Sequence, residues 1–363
     1  MIRLAGPVLR GRERQYIQEC LDGNQLSGGA LVERFERAFA EFCGARYAIA
    51  CSNGTAALHL ALAALGVEAG DEVIIPTLTF VATANAVTYC GARPVLVDVH
   101  PDYWGIDPSR IEERITEKTK GIIAVHLYGH PADMRAIREI ADRRGLFVIE
   151  DAAEAHGARI GGERVGSMGE AGCFSFYGNK ILTTGEGGMV VTNNEELAGW
   201  ARKLRGHGYT PDRRYYFDAV GFNYRMTELQ AAIGLAQVEE AEWHIEQRRI
   251  VAGWYEERLV SNKVLYWQKL QECAEPVDWL VSVIINKHSP ASRDEVMARL
   301  AERGIETRPF FVPMHKLPVY ADDGLYPIAD YLAERGLSLP THAGLNEDDV
   351  DRVCAALLET IGQ

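Results

Sequence analysis

Residues 132–156 read ADMRAIREIADRRGLFVIEDAAEAH, and this stretch decides the fold. Residues 132–144 are long enough for a crossover helix, residues 146–149 form a short continuous apolar run, and Glu150-Asp151 stands at its end. The same alternation recurs upstream. Val73-Ile74-Ile75 is stopped by Pro76, and further apolar runs lie at residues 95–99 and 122–125. Residues 55–65 read as a helix opened by Ser52-Asn53-Gly54. Continuous apolar runs belong to parallel strands covered on both faces. Alternating with helix-length segments, they give an α/β fold with a mostly parallel sheet.

The texture changes near residue 245. Residues 279–285 read as a strand, residues 292–303 as a helix, and a final helix starts with Asn346 as its N-cap and Val350, Val353, Leu357 and Ile361 on one face. The expected division is a large α/β domain over 1–245 and a small C-terminal α+β domain over 246–363. The length of 363 residues suits two or three domains.

Composition removes several function classes. With 38 basic against 51 acidic side chains the chain carries −13, which argues against a nucleic-acid surface built of clustered Lys and Arg. Basic clusters such as Arg202-Lys203-Leu204-Arg205 are short and read as solvated faces. The N-terminal residues do not make a secretory signal. The most apolar stretch, residues 48–67, carries Ser52, Asn53, Thr55 and His59, too many polar groups for a lipid span. Seven scattered cysteines without a CxxC pair suit reduced thiols. The expectation is a cytoplasmic protein with no membrane and no nucleic-acid partner.

Chemistry is sought beyond the carboxyl ends of the strands. Asp151 is either the cap of a following helix or a carboxylate for a cationic ring nitrogen. The start of the helix at Gly54-Thr55 offers backbone N–H groups and a dipole to a phosphate. Residues 173–188, CFSFYGNKILTTGEGG, place a single lysine, Lys180, in an aromatic, glycine-bearing loop. It is either an exposed turn lysine or a nucleophile whose pKa is lowered by desolvation. A phosphorylated aldehyde cofactor needs a Schiff-base lysine, a carboxylate for its pyridine nitrogen and a phosphate cradle. Lys180, Asp151 and Gly54-Thr55 supply the three. His126 and His130 have the spacing of a metal pair, but Gly129 and Pro131 break the helix that would align them, so no metal site is expected. There is no HExxH, Walker A or GxSxG sequence.

Four blocks, CSNGTAALHLAL (51–62), VIEDAAEAHGA (148–158), FSFYGNKILTTGEGGM (174–189) and GFNYRMTELQAAIGLAQ (221–237), resemble the DegT/DnrJ/EryC1/StrS sugar aminotransferases. The resemblance runs over nearly the whole chain. It implies the aspartate aminotransferase-like fold (fold type I) and pyridoxal 5′-phosphate as cofactor. By this resemblance Lys180 bonds the cofactor aldehyde and shuttles protons, Asp151 pairs with the pyridine nitrogen, and Glu154, one helical turn on, approaches the ring hydroxyl. Phe80 would stack on the ring, its other reading being ordinary core. Gly54, Thr55 and Ser175 would hold the phosphate. Asn223, otherwise a turn residue, would reach the phosphate of a neighbouring subunit, so that a homodimer shares its active sites.

The blocks are most similar to members that aminate C4 of a GDP-linked 4-keto-6-deoxymannose, a step in lipopolysaccharide O-antigen supply. The implied donor is L-glutamate in a ping-pong exchange. His315, Tyr224, Arg225 and Arg308 are the implied substrate contacts, Arg308 as a fork for a phosphate or donor carboxylate. Other nucleotide-linked 4-keto or 3-keto sugars and amino-cyclitol ketones are the alternative substrates. A dehydratase is disfavoured by a lysine at position 180. A non-catalytic binding module is disfavoured by the presence of lysine, carboxylate and cradle together. Gln25-Leu26, the short stretch 259–275 and His156 depart from the family pattern, and all three bear on the sugar and nucleotide rather than on the lysine chemistry.

Overall fold

The computed structural model describes residues 1–210, 213 and 215–362. The chain runs α1 (Glu13–Asp22), α2 (Ala30–Cys43), β1 (Tyr47–Cys51), α3 (Gly54–Ala64), β2 (Glu72–Pro76), α4 (Ala82–Tyr89), β3 (Arg93–Val97), β4 (Thr119–Val125), α5 (Met134–Arg144) and β5 (Phe147–Asp151). It continues through β6 (Arg159–Ile160), β7 (Glu163–Arg164), β8 (Ala171–Ser175), β9 (Gly188–Thr192), α6 (Glu195–Arg205), α7 (Glu228–Glu239) and α8 (Ala241–Leu259). Beyond these come β10 (Leu265–Trp267), β11 (Ala274–Glu275), β12 (Ser282–Ile285), α9 (Arg293–Glu302), β13 (Arg308–Pro309), α10 (Pro327–Arg335), β14 (Gly336–Ser338) and α11 (Glu347–Thr360).

The main sheet has the order β1-β9-β8-β5-β4-β2-β3. β9 runs against both neighbours, and the other strand pairs are parallel. Both faces are covered, as the continuous apolar runs demand. Val73, Ile75, Ile123 and Ile149 pack into the core on one side, while Ile74, Ile122 and Val148 pack with Met134 and Ile137 of α5 on the other. Burying each such side chain contributes about 1.5–3 kcal/mol, so a strand of alternating pattern would forfeit half of this.

Local chemistry sets the element ends. The Asn53 side chain accepts from Ala56 N at 2.8 Å and starts α3, and Asp133 does the same for α5 through Ala136 N at 3.1 Å. Gly145 ends α5 in the left-handed region at φ 64. Asn346 caps the final helix by accepting from Asp349 N at 2.9 Å, and Val350, Val353, Leu357 and Ile361 are all buried.

Two expectations are corrected. No helix follows β5: residues 152–158 are turns, and the chain then enters the small sheet β11-β6-β7. Asp151 is therefore the last residue of a strand and caps nothing helical, and Glu154 stands on a turn rather than one helical turn onward.

The second core gathers Val251, Tyr255 and Leu259 of α8 with the sheet β10-β12-β14-β13 and helices α9 and α11. α8 is continuous through residues 245 and 246, and its Ile245 packs in the first core. Ile2 belongs to the second core and pairs with Ile305. No helix among the described residues is long and apolar enough to cross a membrane.

Candidate active site

The carboxyl ends of β4, β5 and β8, the N-termini of α3 and α4, and the segment before β12 enclose a cavity of roughly 600 Å3. Lys180, Asp151, Glu154, Gly54, Thr55, Phe80, Ser175, Tyr224 and Arg308 all line it. Residues from positions 53 to 311 thus meet at one place, where an open α/β sheet binds its ligands.

Lys180 follows a turn in which its N–H donates to Tyr177 O at 2.9 Å. Its side chain is only 11% exposed, with Nζ 3.6 Å from Glu154 Oε1 and 3.9 Å from the centre of the Trp279 ring. The exposed-turn reading is thereby excluded. Burial pulls the amine below the ordinary lysine range, while Glu154 and Asp151 oppose the shift. A lysine held this way yields its proton more readily than one in water.

The carboxylates are held differently. Asp151 Oδ2 accepts from Thr83 Oγ1 at 2.8 Å, Thr83 meets Thr79 at 3.1 Å, and Oδ1 accepts from Ala153 N at 3.3 Å. Burial pushes its carboxyl up against these hydrogen bonds. Glu154 Oε2 accepts from Tyr128 N at 2.8 Å, and Tyr128 takes a left-handed φ of 57 to present that N–H. Burial likewise raises Glu154, and Lys180 pulls it back.

The phosphate cradle is formed by close approach. The first N–H groups of α3 have no partner within the helix. A Cβ on Gly54 would lie 2.7 Å from Ser175 Cβ, and one on Gly188 would lie 2.2 Å from Asn53 O. Only glycines let α3 sit this near β8 and β9. Phe80 is 55% exposed and its ring lies 5.6 Å from Phe311. It is a wall residue, and the core reading fails.

The remaining expected residues separate. Tyr224 lines the cavity with its hydroxyl 3.0 Å from His59 Nδ1. Arg225 and Asn223 are exposed and lie outside the cavity lining. His315 also lies outside the lining. Its ring nitrogens meet Thr77 Oγ1 at 2.8 Å and Asp330 at 3.0 Å, and Tyr326 stacks on it at 4.5 Å. It braces the turn after Pro313 against the end of β2. His126 is similarly engaged: Nδ1 accepts from Ala132 N at 3.0 Å, leaving Nε2 to donate to Glu150 at 3.1 Å. His156 is buried among Phe39, Phe174 and Phe176, and burial pulls it down to about 3, so it is neutral.

Trp279, Phe311, Tyr89 and Tyr177 line the cavity without having been singled out. Trp279 stood in the sequence only as the start of an apolar run, and its apposition to Lys180 needs a tertiary contact across 99 positions that no local pattern encodes.

A buried carboxylate without a cationic hydrogen-bond partner, a cradle that any Cβ would fill and one desolvated amine fit a phosphorylated pyridine aldehyde. Residues 7–358 match the model of the DegT/DnrJ/EryC1/StrS aminotransferase family. The chain is 51% identical to a GDP-perosamine synthase of Caulobacter vibrioides, covering 98% of this chain and 97% of that one. It is 45% identical to a GDP-perosamine synthase of Escherichia coli O157:H7, covering 97% and 96%. Among solved structures it is similar to DesV of S. venezuelae in complex with a ketimine intermediate, with TM-score 0.92, 38% identity, and coverage of 97% and 95%.

Proposed function

The chain belongs to the DegT/DnrJ/EryC1/StrS aminotransferase family, and from that premise we propose that it moves an amino group from L-glutamate to C4 of GDP-4-keto-6-deoxymannose, with pyridoxal 5′-phosphate as cofactor, yielding GDP-perosamine. The observation that carries the reading is the convergence of Lys180, Asp151 and the start of α3 on one cavity. The identity to GDP-perosamine synthases supports the sugar.

Bound there, the cofactor supplies an aldehyde carbon that takes up the amino group and a protonated ring that stores the electron pair freed at the neighbouring carbon. Gly54, Thr55 and Ser175 would hold its phosphate, Asp151 would supply the anion for its ring nitrogen, and Glu154 would approach its ring hydroxyl. Phe80 and Phe311 close one side and exclude water. Lys180 Nζ would move one proton in each half-reaction, first from the donor carbon to the cofactor carbon and then, with the sugar bound, from that carbon to the sugar carbon, which its lowered affinity for protons suits. Arg308 offers its fork to the donor carboxylate or a substrate phosphate.

The assembly belongs to the same proposal. Asn223 lies at the surface beside exposed Tyr216, Phe217 and Val220, which supports a homodimer in which Asn223 completes the partner's phosphate cradle. We place the enzyme in the cytosol. The deciding experiment presents L-glutamate and a panel of nucleotide-linked keto sugars to the purified holoenzyme and identifies products by mass spectrometry. GDP-perosamine as the preferred product is expected; preference for another 4-keto or 3-keto sugar would overturn the substrate assignment, and failure to aminate any would overturn the activity.

A further inference from the structure

Arg248, on α8, is 2% exposed, yet its hydrogen bonds run to backbone carbonyls rather than to a carboxylate. Nη1 donates to Trp279 O at 2.8 Å and to Thr341 O at 2.9 Å. Its Nε has no partner among the described residues. Burial pulls the guanidinium down to about 10, with Asp278 acting against the shift, so it remains charged near neutrality. A buried charge whose hydrogen bonds go only to carbonyl dipoles is expensive to retain. What it secures is the backbone of Trp279.

Trp279 is gripped at its other end as well. Its Nε1 donates to Asn179 O at 2.9 Å, the carbonyl immediately before Lys180. Tyr128 lies parallel to its ring, centroids 6.4 Å apart, and Lys180 Nζ sits 3.9 Å from the ring centre. A cation over the face of an indole is held by the ring quadrupole, most firmly where water is excluded. Glu154, Asp151 and Arg308 also face this nitrogen electrostatically, and His156 nearby is neutral.

Building on the assignment of Lys180 above, we propose that Trp279, fixed in place by Arg248, is a positioning residue for Lys180 whose ring face receives the lysine nitrogen whenever it is free and positively charged. Lysine has a flexible four-carbon stem. Between its two proton transfers the nitrogen is kept over the ring and beside Glu154 instead of sweeping the cavity.

The test uses holoenzyme converted with excess L-glutamate to the pyridoxamine form, in which Lys180 is free. Its rate of acetylation by acetic anhydride, read on the Lys180 peptide by mass spectrometry across pH, gives the midpoint at which the nitrogen loses its proton. Trp279→Leu is expected to lower that midpoint by roughly half a unit to one unit, and to lower kcat with little change in KM for L-glutamate. Trp279→Phe keeps a ring face and is expected to stay near the parent midpoint. Arg248→Met should shift it in the same direction as Trp279→Leu, by less. An unmoved midpoint in Trp279→Leu would overturn the proposal, as would equal shifts in the Leu and Phe variants. If Arg248→Met does not fold, the two Trp279 variants decide alone. The assignment of Lys180 is checked separately: borohydride-treated parent holoenzyme lacking a cofactor adduct on the Lys180 peptide would overturn that assignment whatever the variants do.

Discussion

The floor and the roof of the cavity are built on different terms. The floor stands on strand ends and a helix start: Asp151 closes β5, Ser175 closes β8, and Gly54 opens α3. Its strands are buried on both faces, and its groups sit where the backbone puts them. The roof, formed by Trp279, Arg308 and Phe311, comes from short or irregular segments of the later chain and is fixed by side chains reaching across, such as Arg248 to the Trp279 carbonyl. The ring carboxylate and the phosphate cradle therefore rest on strand ends and a helix start, whereas the roof rests on contacts that can be altered one at a time.

Predictions follow this division, from the largest effect to the smallest. Lys180→Ala, at the heart of the floor, should lower turnover by about 10^4-fold or to background while thermal unfolding stays near the parent's; comparable residual turnover would show the chemistry lies elsewhere. Asp151→Asn keeps the shape and removes the anion. Turnover should fall by about 10^2- to 10^3-fold, with the absorbance of bound cofactor altered. Gly54→Ala puts a Cβ 2.7 Å from Ser175 Cβ. It should weaken cofactor retention on dialysis and cost about 1–3 kcal/mol of stability; unchanged retention would mean the cradle is looser than its spacing.

The smallest effect belongs to the roof's anchorage. Burial pushes Asp278, next to Trp279, from 3.8 up to about 6 despite Arg249 and Arg248. The folded state binds this proton more tightly than the unfolded chain does. Its contribution is thus present in full below about pH 4 and lost as pH rises through 6. Asp278→Asn should raise the melting temperature at pH 8 by a few degrees and leave it unchanged at pH 4. Asn tolerates the positive φ of 46 found here.

What was legible in the sequence follows the same line. Lys180, Asp151 and Gly54-Thr55 could be found because each sits in a local pattern that the chain spells out within a few residues: a glycine-bearing aromatic loop, a strand end and a helix start. The sheet was legible for the same reason, since doubly covered strands leave unbroken apolar runs. The turn after β5 was not, because Ala152-Ala153-Glu154-Ala155 looks helical in sequence, whereas the chain turns there and Gly157 takes a left-handed φ of 86. The hydrogen bonds of His315 were not legible, because a histidine two residues after a proline reads alike whether it faces ligand or braces a loop. Trp279 was missed because an aromatic residue heading an apolar run has no local mark of a function that comes from a distant lysine.

One consequence concerns how ligands get in and out. α8 is a single 19-residue helix, a rod of about 28 Å, with one end bedded in each core. Two bodies joined by such a shaft do not swing apart as bodies on a loose tether do. Passage of a ligand then falls to the loops at the cavity rim, while the shaft keeps the tryptophan wall in register with the lysine.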